Sequence, residues 1–286
     1  MIYISSVALR DPELQTIINI SRDFDINFEL SANITYEDKD KVDEKLRDFQ
    51  NKFLIHNYFP RPHEDFVINL ASSDVKIRKK SVEFACNNIK RCEKFGIPIY
   101  TIHSGFRFDP GSKHLGTTFK KVNLFDYNLS FDLFIESLKE ILLTTGNSDV
   151  SLLIENNVLT FNNLKSFGEN PLLCCDYTDY VKIFKIISDH RLGILADFGH
   201  LKVSANTLNF SLELFYEILK DKIYAHHLSD NDNLFDTNEP FENPEIFKKI
   251  KNIEYSDYLV LEINNVTTEK ILEQKELLQN FLKSKK

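Results

Sequence analysis

Several short apolar runs of the chain end in a side chain that can bind a metal ion. The clearest case is residues 193–204, GILADFGHLKVS, in which Asp197 follows the apolar run and His200 comes three residues later. A carboxylate and a neutral imidazole at this spacing can turn toward one ion, or toward one ion and its bound substrate. The alternative for this segment alone is a carboxylate that caps a helix, followed by a solvated histidine.

The same arrangement recurs along the chain. The run ends carry His56, His103, Glu155, Asp197, His227 and Glu262, and Glu29 lies near the end of another run. These groups are costly to bury without a partner or an ion, so their recurrence predicts a buried metal site. Carboxylates and imidazoles together suit Mn, Zn, Fe or Co, and also Mg if few imidazoles bind. His226 adjoins His227, and the alternation of side chains along a strand sends only one of the two inward without showing which.

Eight apolar runs of strand length alternate with longer amphipathic stretches. The predicted strands are residues 2–6, 26–30, 53–56, 98–103, 150–155, 192–197, 223–227 and 258–263. The predicted helices are residues 12–21, 38–50, 75–95, 131–143, 177–188, 208–219, 244–250 and 267–283. Eight β-then-α units predict the α/β class and a single (β/α)8 TIM barrel domain over residues 1–286, with a doubly wound sheet plus an appended subdomain as the main alternative. In such a barrel the active site lies at the C-terminal ends of the strands, where the metal-binding side chains stand.

Length and charge restrict the class of protein. A chain of 286 residues can bury a large core, and no Gly/Ser/Pro-rich linker divides it. The N-terminal residues lack a basic leader, and no later run reaches the length of a membrane span, so we expect a soluble, cytoplasmic protein. The formal net charge of -8 gives no footprint for general nucleic-acid binding. The cysteines lack metal-ligand or redox spacing, and we expect them to be reduced and structural.

Six motifs, in this order and at these strand ends, carry a family resemblance. They are IHNYF with INLASSD at 55–59 and 68–74, KRCEKFGIPIYTIHSGF at 90–106, LLIENN at 152–157, ADFGH at 196–200, HHLSDND at 226–232 and LVLEIN at 259–264. Over nearly its whole length the chain resembles the xylose-isomerase-like TIM barrels, the superfamily of sugar isomerases and epimerases that also contains endonuclease IV.

The resemblance implies a metal-dependent sugar or sugar-phosphate isomerase or epimerase. The implied ligands of one divalent ion (Mn, Zn, Co or Mg) are Glu155, Asp197, His227 and Glu262, and the family's pattern after the seventh strand selects His227 over His226. Proton transfer at the carbon next to a carbonyl is implied for Glu155 and Glu262. Substrate binding is predicted for His56, His103 and His200. The expected partner is a small sugar; nucleic acid and membrane are not expected, and a homodimer is left open.

The main alternative is an endonuclease IV-like zinc phosphodiesterase that acts on abasic DNA. The same strand-end residues, together with His200, fall on the ligand positions of that family. Its Asp-x-His motif is Asp236-Thr237-Asn238 here, and the following NEPFENPEIF contains no glycine. An amide is a poor zinc ligand, so a third zinc ion is doubtful while two ions remain open.

Three further interpretations stay open. A related barrel lyase would remove water from a keto-inositol or a cyclic hydroxy-ketone with the same ion and base. A non-enzymatic carbohydrate-binding barrel would leave the buried acids unexplained. The loop at residues 105–118, with Arg107, Lys113 and His114, is either a clamp for a phosphate or carboxylate over the barrel mouth or an ordinary solvated loop.

Overall fold

Eight parallel strands close into a barrel in which each strand pairs with its neighbours in chain order. The structure, a computed structural model, describes residues 1–64, 66–111, 119–250 and 253–285. The strands are β1 (Ile2–Ser5), β2 (Phe28–Leu30), β3 (Phe53–His56), β4 (Ile99–His103), β5 (Ser151–Glu155), β6 (Leu192–Asp197), β7 (Ile223–Leu228) and β8 (Tyr258–Leu261). The predicted (β/α)8 barrel is confirmed. The doubly wound sheet is excluded because such a sheet has open edges, whereas β1 pairs with β8 here.

Helices follow the strands and cover the outside of the barrel. They are α1 (Leu14–Phe24), α2 (Lys39–Leu46), α3 (Val75–Lys94), α4 (Tyr127–Thr144), α5 (Phe161–Phe167), α6 (Tyr177–Ile186), α7 (Phe198–Leu208), α8 (Leu212–Leu219) and α9 (Thr268–Lys285). The sequence predicted neither α5 nor α7, and the helix predicted at 244–250 is a 3-10 helix, Pro244–Lys249. Helix α4 begins earlier than predicted because the Asp126 side chain accepts a hydrogen bond from Leu129 N and caps it.

Helix α7 begins directly where β6 ends. The Oδ1 atom of Asp197 accepts a hydrogen bond from His200 N at 2.7 Å, which satisfies a donor of the first turn. The first turn packs so closely against the end of β7 that a Cβ atom at Gly199 would lie 2.7 Å from Ser229 Oγ. This close approach holds His200 over the C-terminal mouth of the barrel.

Strand register brings the predicted site residues together in pairs. His103 of β4 stands opposite Glu155 of β5, and Asp197 of β6 stands opposite His227 of β7. Neighbouring strands lie about 4.8 Å apart, so opposed side chains on the same face are in contact range. Among the described helices, none combines the length and the apolar character needed to cross a bilayer.

Candidate metal centre

Glu155 lies at the centre of a cluster of histidine and acidic side chains at the C-terminal mouth of the barrel, and it is only 1% exposed. Its Oε2 atom is 3.4 Å from His56 Nε2 and 3.2 Å from His103 Nδ1. Its Oε1 atom is 3.5 Å from His200 Nδ1 and 3.6 Å from His227 Nδ1. Neither oxygen has a hydrogen-bond partner among the described residues. One carboxylate therefore faces two pairs of imidazoles, one pair on each oxygen.

The two oxygens of Asp197 face different surroundings. Its Oδ1 atom caps α7, while Oδ2 is 3.5 Å from His227 Nδ1 and has no hydrogen-bond partner in the described part of the chain. The amide of Asn156 fixes the backbone here, since its Oδ1 accepts from Asp197 N and its Nδ2 donates to Asp197 O. His200 is 6% exposed, so the alternative of a solvated histidine does not hold.

His227 points into the barrel and His226 points away from it. A hydrogen bond of 2.8 Å joins His227 Nδ1 to Glu262 Oε2. His226 bonds instead to Ser256 Oγ at 3.0 Å through Nδ1, and its ring stacks on Tyr216. The structure thus resolves the choice that strand parity left open.

These residues fit a divalent ion. The group Glu155, Asp197, His227 and Glu262 offers one ligand atom each, and these atoms lie within 4.8 Å of one another. Two further groups of this kind are His56, His103 and Glu155, and Glu29, His56 and His227. Both oxygens of Glu155 and Asp197 Oδ2 are buried without a hydrogen bond from the described residues, which is costly unless a cation satisfies them. Carboxylate and imidazole donors in this mixture suit Mn, Zn or Co, and Mg less well.

The charges of the cluster are strongly coupled. Burial tends to lower the pKa of His227, but the Glu262 and Glu29 carboxylates outweigh it and hold this pKa well above its usual value. Burial tends to raise the pKa of Glu155, but His103 and His56 outweigh it and hold this pKa well below its usual value. Burial raises the pKa of Glu262 to about 8, although His227 acts in the opposite direction. The protonation of Glu262 therefore depends on burial, on His227 and on the neighbouring carboxylates together.

A cavity of about 480 Å³ opens above the cluster. Its polar lining includes His103, His200, Asp236, Asn238 and Glu262, and its walls include aromatic and aliphatic side chains such as Phe66, Phe106 and Leu172. This volume lies in the range of small-molecule sites. Glu262 is thus the member of the Glu155, Asp197, His227 and Glu262 group that faces the cavity within the described residues.

The three histidines predicted to bind substrate lie at different depths. His103, whose side chain is 32% exposed, and His200 line the cavity. His56 is 4% exposed and lies below the cavity, where its Nδ1 shares a 2.8 Å hydrogen bond with Thr101 Oγ1. Its position therefore favours a role next to Glu155 over direct contact with a substrate.

Asp236 and Asn238, which the sequence offered only as an altered zinc motif, also belong to this site. Asp236 Oδ2 is 3.1 Å from His200 Nε2, and His200 Nδ1 lies 2.8 Å from Asn156 O. Burial tends to lower the pKa of His200, but Asp197 and Asp236 outweigh it and hold this pKa well above its usual value. The pair places a charged donor and acceptor at the cavity wall.

The guanidinium of Arg107 is engaged elsewhere and does not contribute to the clamp that the sequence left open. Its guanidinium donates hydrogen bonds to Phe125 O, to Asn170 O and to the Glu169 carboxylate, and the residue is 6% exposed. Its donors hold two loops together and do not face the barrel mouth. Lys113 and His114 lie outside the described residues.

Metal loading is expected to stabilise the folded chain. An ion present at 100 times its dissociation constant, and bound by the native state alone, stabilises a protein by about 2.7 kcal/mol. Thermal unfolding in Mn²⁺, Co²⁺ or Zn²⁺ should therefore give a higher midpoint than unfolding in a chelator. Equal midpoints with each of these ions at saturating concentration would contradict a buried ion site.

The chain belongs to the xylose isomerase-like TIM barrel family, which matches residues 22–285. A curated relative is a probable endonuclease 4 of Thermoplasma acidophilum, 29% identical over 173 residues, which cover 59% of this chain and 50% of that protein. The match thus spans half the length of this relative. Two solved structures share the fold. One is a D-tagatose 3-epimerase-like protein, with a TM-score of 0.72, 19% identity, and coverage of 99% of this chain and 97% of that one. The other is the IOLI protein with a bound zinc atom, with a TM-score of 0.64, 13% identity, and coverage of 99% and 98%.

Proposed function

We propose that the chain is a divalent-metal-dependent isomerase or epimerase of a sugar or sugar phosphate. The observation that carries the proposal is the double position of Glu262. This carboxylate belongs to the four-residue ligand group and also lines the cavity. A carboxylate therefore stands where a substrate beside the ion would present its carbon-bound proton.

The reaction follows from what these side chains can do. Glu262 takes the proton from the carbon next to a carbonyl, and His103, His200 and Asp236 bind substrate oxygens at the cavity wall. A divalent ion held by Glu155, Asp197, His227 and Glu262 would supply Lewis-acid stabilisation of the negative charge that develops on the substrate oxygens. Glu155 is our candidate for returning the proton. Because Glu155 lies below the cavity lining, this role requires the substrate carbon to reach the cavity floor.

Size and charge favour a small substrate over a nucleic acid. The cavity of about 480 Å³ has the size of a small-molecule site, and apolar side chains form part of its wall. The formal net charge of -8 opposes binding to a phosphate backbone. Both observations support a small substrate over a nucleic acid.

Deuterium exchange tests this proposal directly. The metal-loaded protein is incubated in D2O with a panel of ketoses and ketose phosphates, and deuterium next to the carbonyl is followed by NMR. We expect exchange, together with an epimer or an aldose, for at least one member of the panel. A metal-loaded sample without exchange on any of them would contradict the proposal.

One observation favours a second candidate, an endonuclease IV-like zinc phosphodiesterase. His56, His103 and Glu155 form another ligand group beside the first, so two ions could share the Glu155 carboxylate. The curated relative named above is a probable endonuclease. Asn238, in place of an imidazole, weighs against a third zinc ion. Incision of an abasic duplex by the zinc-loaded protein, lost in His103→Ala, would favour this candidate; intact duplex after loading with two zinc ions would remove it.

A lyase would be recognised in the NMR assay. Loss of water from a cyclic hydroxy-ketone, in place of deuterium exchange with an epimer or aldose product, would indicate it.

A further inference from the structure

Glu29 is a buried carboxylate that the proposed reaction does not use. It lies in β2 between Phe28 and Leu30, and its exposure is 0%. Neither of its oxygens has a hydrogen-bond partner within the described ranges of the chain. A carboxylate in this situation is strongly penalised, so its position calls for a physical reason.

The reason is the His227 ring, since Glu29 lies beside its Nε2 atom and the four-residue ligand group lies beside Nδ1. Glu29 Oε1 is 3.0 Å from His227 Nε2, and Nε2 also has no aligned hydrogen bond from the described residues. These two atoms thus lie at hydrogen-bonding distance from each other, but the hydrogen bond between them is not aligned. The other nitrogen, Nδ1, lies 2.8 Å from Glu262 Oε2 and 3.5 Å from Asp197 Oδ2.

We propose that Glu29 positions His227 for the ion by accepting the proton on Nε2. A neutral imidazole carries one N–H and one lone pair, so a proton held on Nε2 leaves the Nδ1 lone pair facing the other ligand atoms. A carboxylate behind a metal-bound histidine also fixes the ring orientation and raises its basicity. The inference rests on the proposed metal centre and adds to it a residue that acts through His227.

Direct ligation is the competing role for Glu29. The ligand atoms of Glu29, His56 and His227 also lie within 4.8 Å of one another, so these residues could hold an ion of their own. Such an ion would use the Nε2 lone pair of His227. A neutral imidazole has no second lone pair for the other ligand group, and it is Nδ1 that faces the carboxylates of Asp197, Glu155 and Glu262. The geometry therefore favours the acceptor role.

Cobalt binding to three variants tests the inference. Co²⁺ affinity and stoichiometry are measured by visible absorption with chelator competition in wild type, Glu29→Leu and Glu29→Gln. We expect Glu29→Leu to lose about 10- to 100-fold in affinity at unchanged stoichiometry. We expect Glu29→Gln to keep most of the affinity, because its amide oxygen still accepts the proton on Nε2.

A matched control separates positioning from a general loss of structure. Asp179 is also a buried carboxylate, but it accepts hydrogen bonds from Cys174 N and Tyr127 OH, so Asp179→Asn should leave Co²⁺ affinity unchanged. In chelator, Glu29→Leu should unfold at no lower temperature than wild type, because it removes a buried carboxylate without a hydrogen bond. In the zinc-loaded protein, NMR of the imidazoles should show His227 protonated on Nε2, with this proton shifted downfield by its hydrogen bond to the Glu29 carboxylate. Glu29→Leu should lose the downfield shift.

Three outcomes would overturn the inference and can be told apart. Wild-type affinity and an unchanged chemical shift of the His227 Nε2 proton in Glu29→Leu would show that Glu29 does not act on His227. Loss of one equivalent of cobalt in both Glu29→Gln and Glu29→Leu would identify Glu29 as a direct ligand. A wild-type protein that binds no ion would remove the proposed metal centre together with this role.

Discussion

Replacement of Glu262 by Gln is expected to lower proton exchange next to the substrate carbonyl by roughly 10²- to 10⁴-fold, the usual contribution of a positioned general base. Gln has nearly the same volume as Glu, and residue 262 is 8% exposed, so the fold should tolerate the change. The Gln amide, however, is not basic and cannot take the proton from the substrate. The measurement is the rate of deuterium incorporation into the ketose that the wild-type protein accepts.

The variant must also be tested as a metal ligand, because Glu262 has both roles in the proposal. The Gln side chain keeps an oxygen that can bind an ion, although without the negative charge. If the ion content of Glu262→Gln is restored by excess metal and exchange stays low, the missing base is responsible. Exchange that recovers fully with excess metal would mean that Glu262 is only a ligand.

A surface glutamate supplies the control. Glu276 is exposed on α9, and Glu276→Gln removes the same charge without touching the barrel mouth. It should exchange protons at the wild-type rate and bind the same amount of metal. Wild-type exchange in Glu262→Gln itself would refute the proposed role of the carboxylate.

The barrel and most of its functional end could be predicted from the sequence because both depend on local patterns. Short apolar runs fix the strands, and parallel strands in a closed barrel bring their C-terminal ends to one side. Glu155 and Asp197 therefore meet although they belong to different strands. To predict that they meet, it is enough to know where the strands end and that the strands are parallel.

Helix α7 escaped prediction for a physical reason. An amphipathic helix is visible in a sequence because one face is polar. Most side chains from Phe198 to Ala205 are buried, including the polar His200 and Ser204, so this signal is absent. The signal that remained was Asp197 at the N-cap position, which the sequence analysis weighed only as the alternative to a ligand. In the structure, Oδ1 of Asp197 caps the helix while Oδ2 is left without a hydrogen bond from the described residues, so the cap does not exclude a ligand role.

Contacts between distant parts of the chain account for the remaining misses. Glu29 was recognised from the sequence only as a residue near a strand end, because its contact with His227 joins β2 to β7, which lie far apart in the chain. Arg107 donates hydrogen bonds to Glu169 and Asn170, more than sixty residues away in the sequence. The residues next to Arg107 therefore do not reveal that its guanidinium is already bound. Buried charges of this kind are assigned by tertiary packing alone.

Asp197→Ala is expected to lose the bound ion, and Asp197→Asn is expected to lose nearly as much affinity. Both variants remove the carboxylate whose Oδ2 is buried without a hydrogen bond, and the amide of Asn is a weaker ligand for Mn, Zn or Co. Metal content per chain is measured by elemental analysis after purification without chelator. One ion per wild-type chain favours the single-ion isomerase or epimerase, whereas two or three zinc ions favour the phosphodiesterase.

Of the two substituted side chains, only Asn can still cap α7. Comparing the two variants therefore separates the effect of losing the ion from the effect of losing the helix cap. Asn keeps an oxygen that can accept from His200 N, whereas Ala leaves the first turn of α7 uncapped. In chelator, Asp197→Ala should therefore unfold with about 1 kcal/mol less stability than Asp197→Asn, the usual value of a capping side chain. Equal stability of the two would show that the cap contributes nothing here.

A second capping aspartate completes the comparison. Asp74 caps α3 through a 2.7 Å hydrogen bond from Lys76 N and lies at the surface, outside the ligand groups. Asp74→Ala should lose stability to a similar degree and keep its full metal content. If it also lost the ion, loosening of the barrel would explain the result at Asp197. An ion lost in both Asp197 variants and kept in Asp74→Ala assigns the loss to the carboxylate at the end of β6.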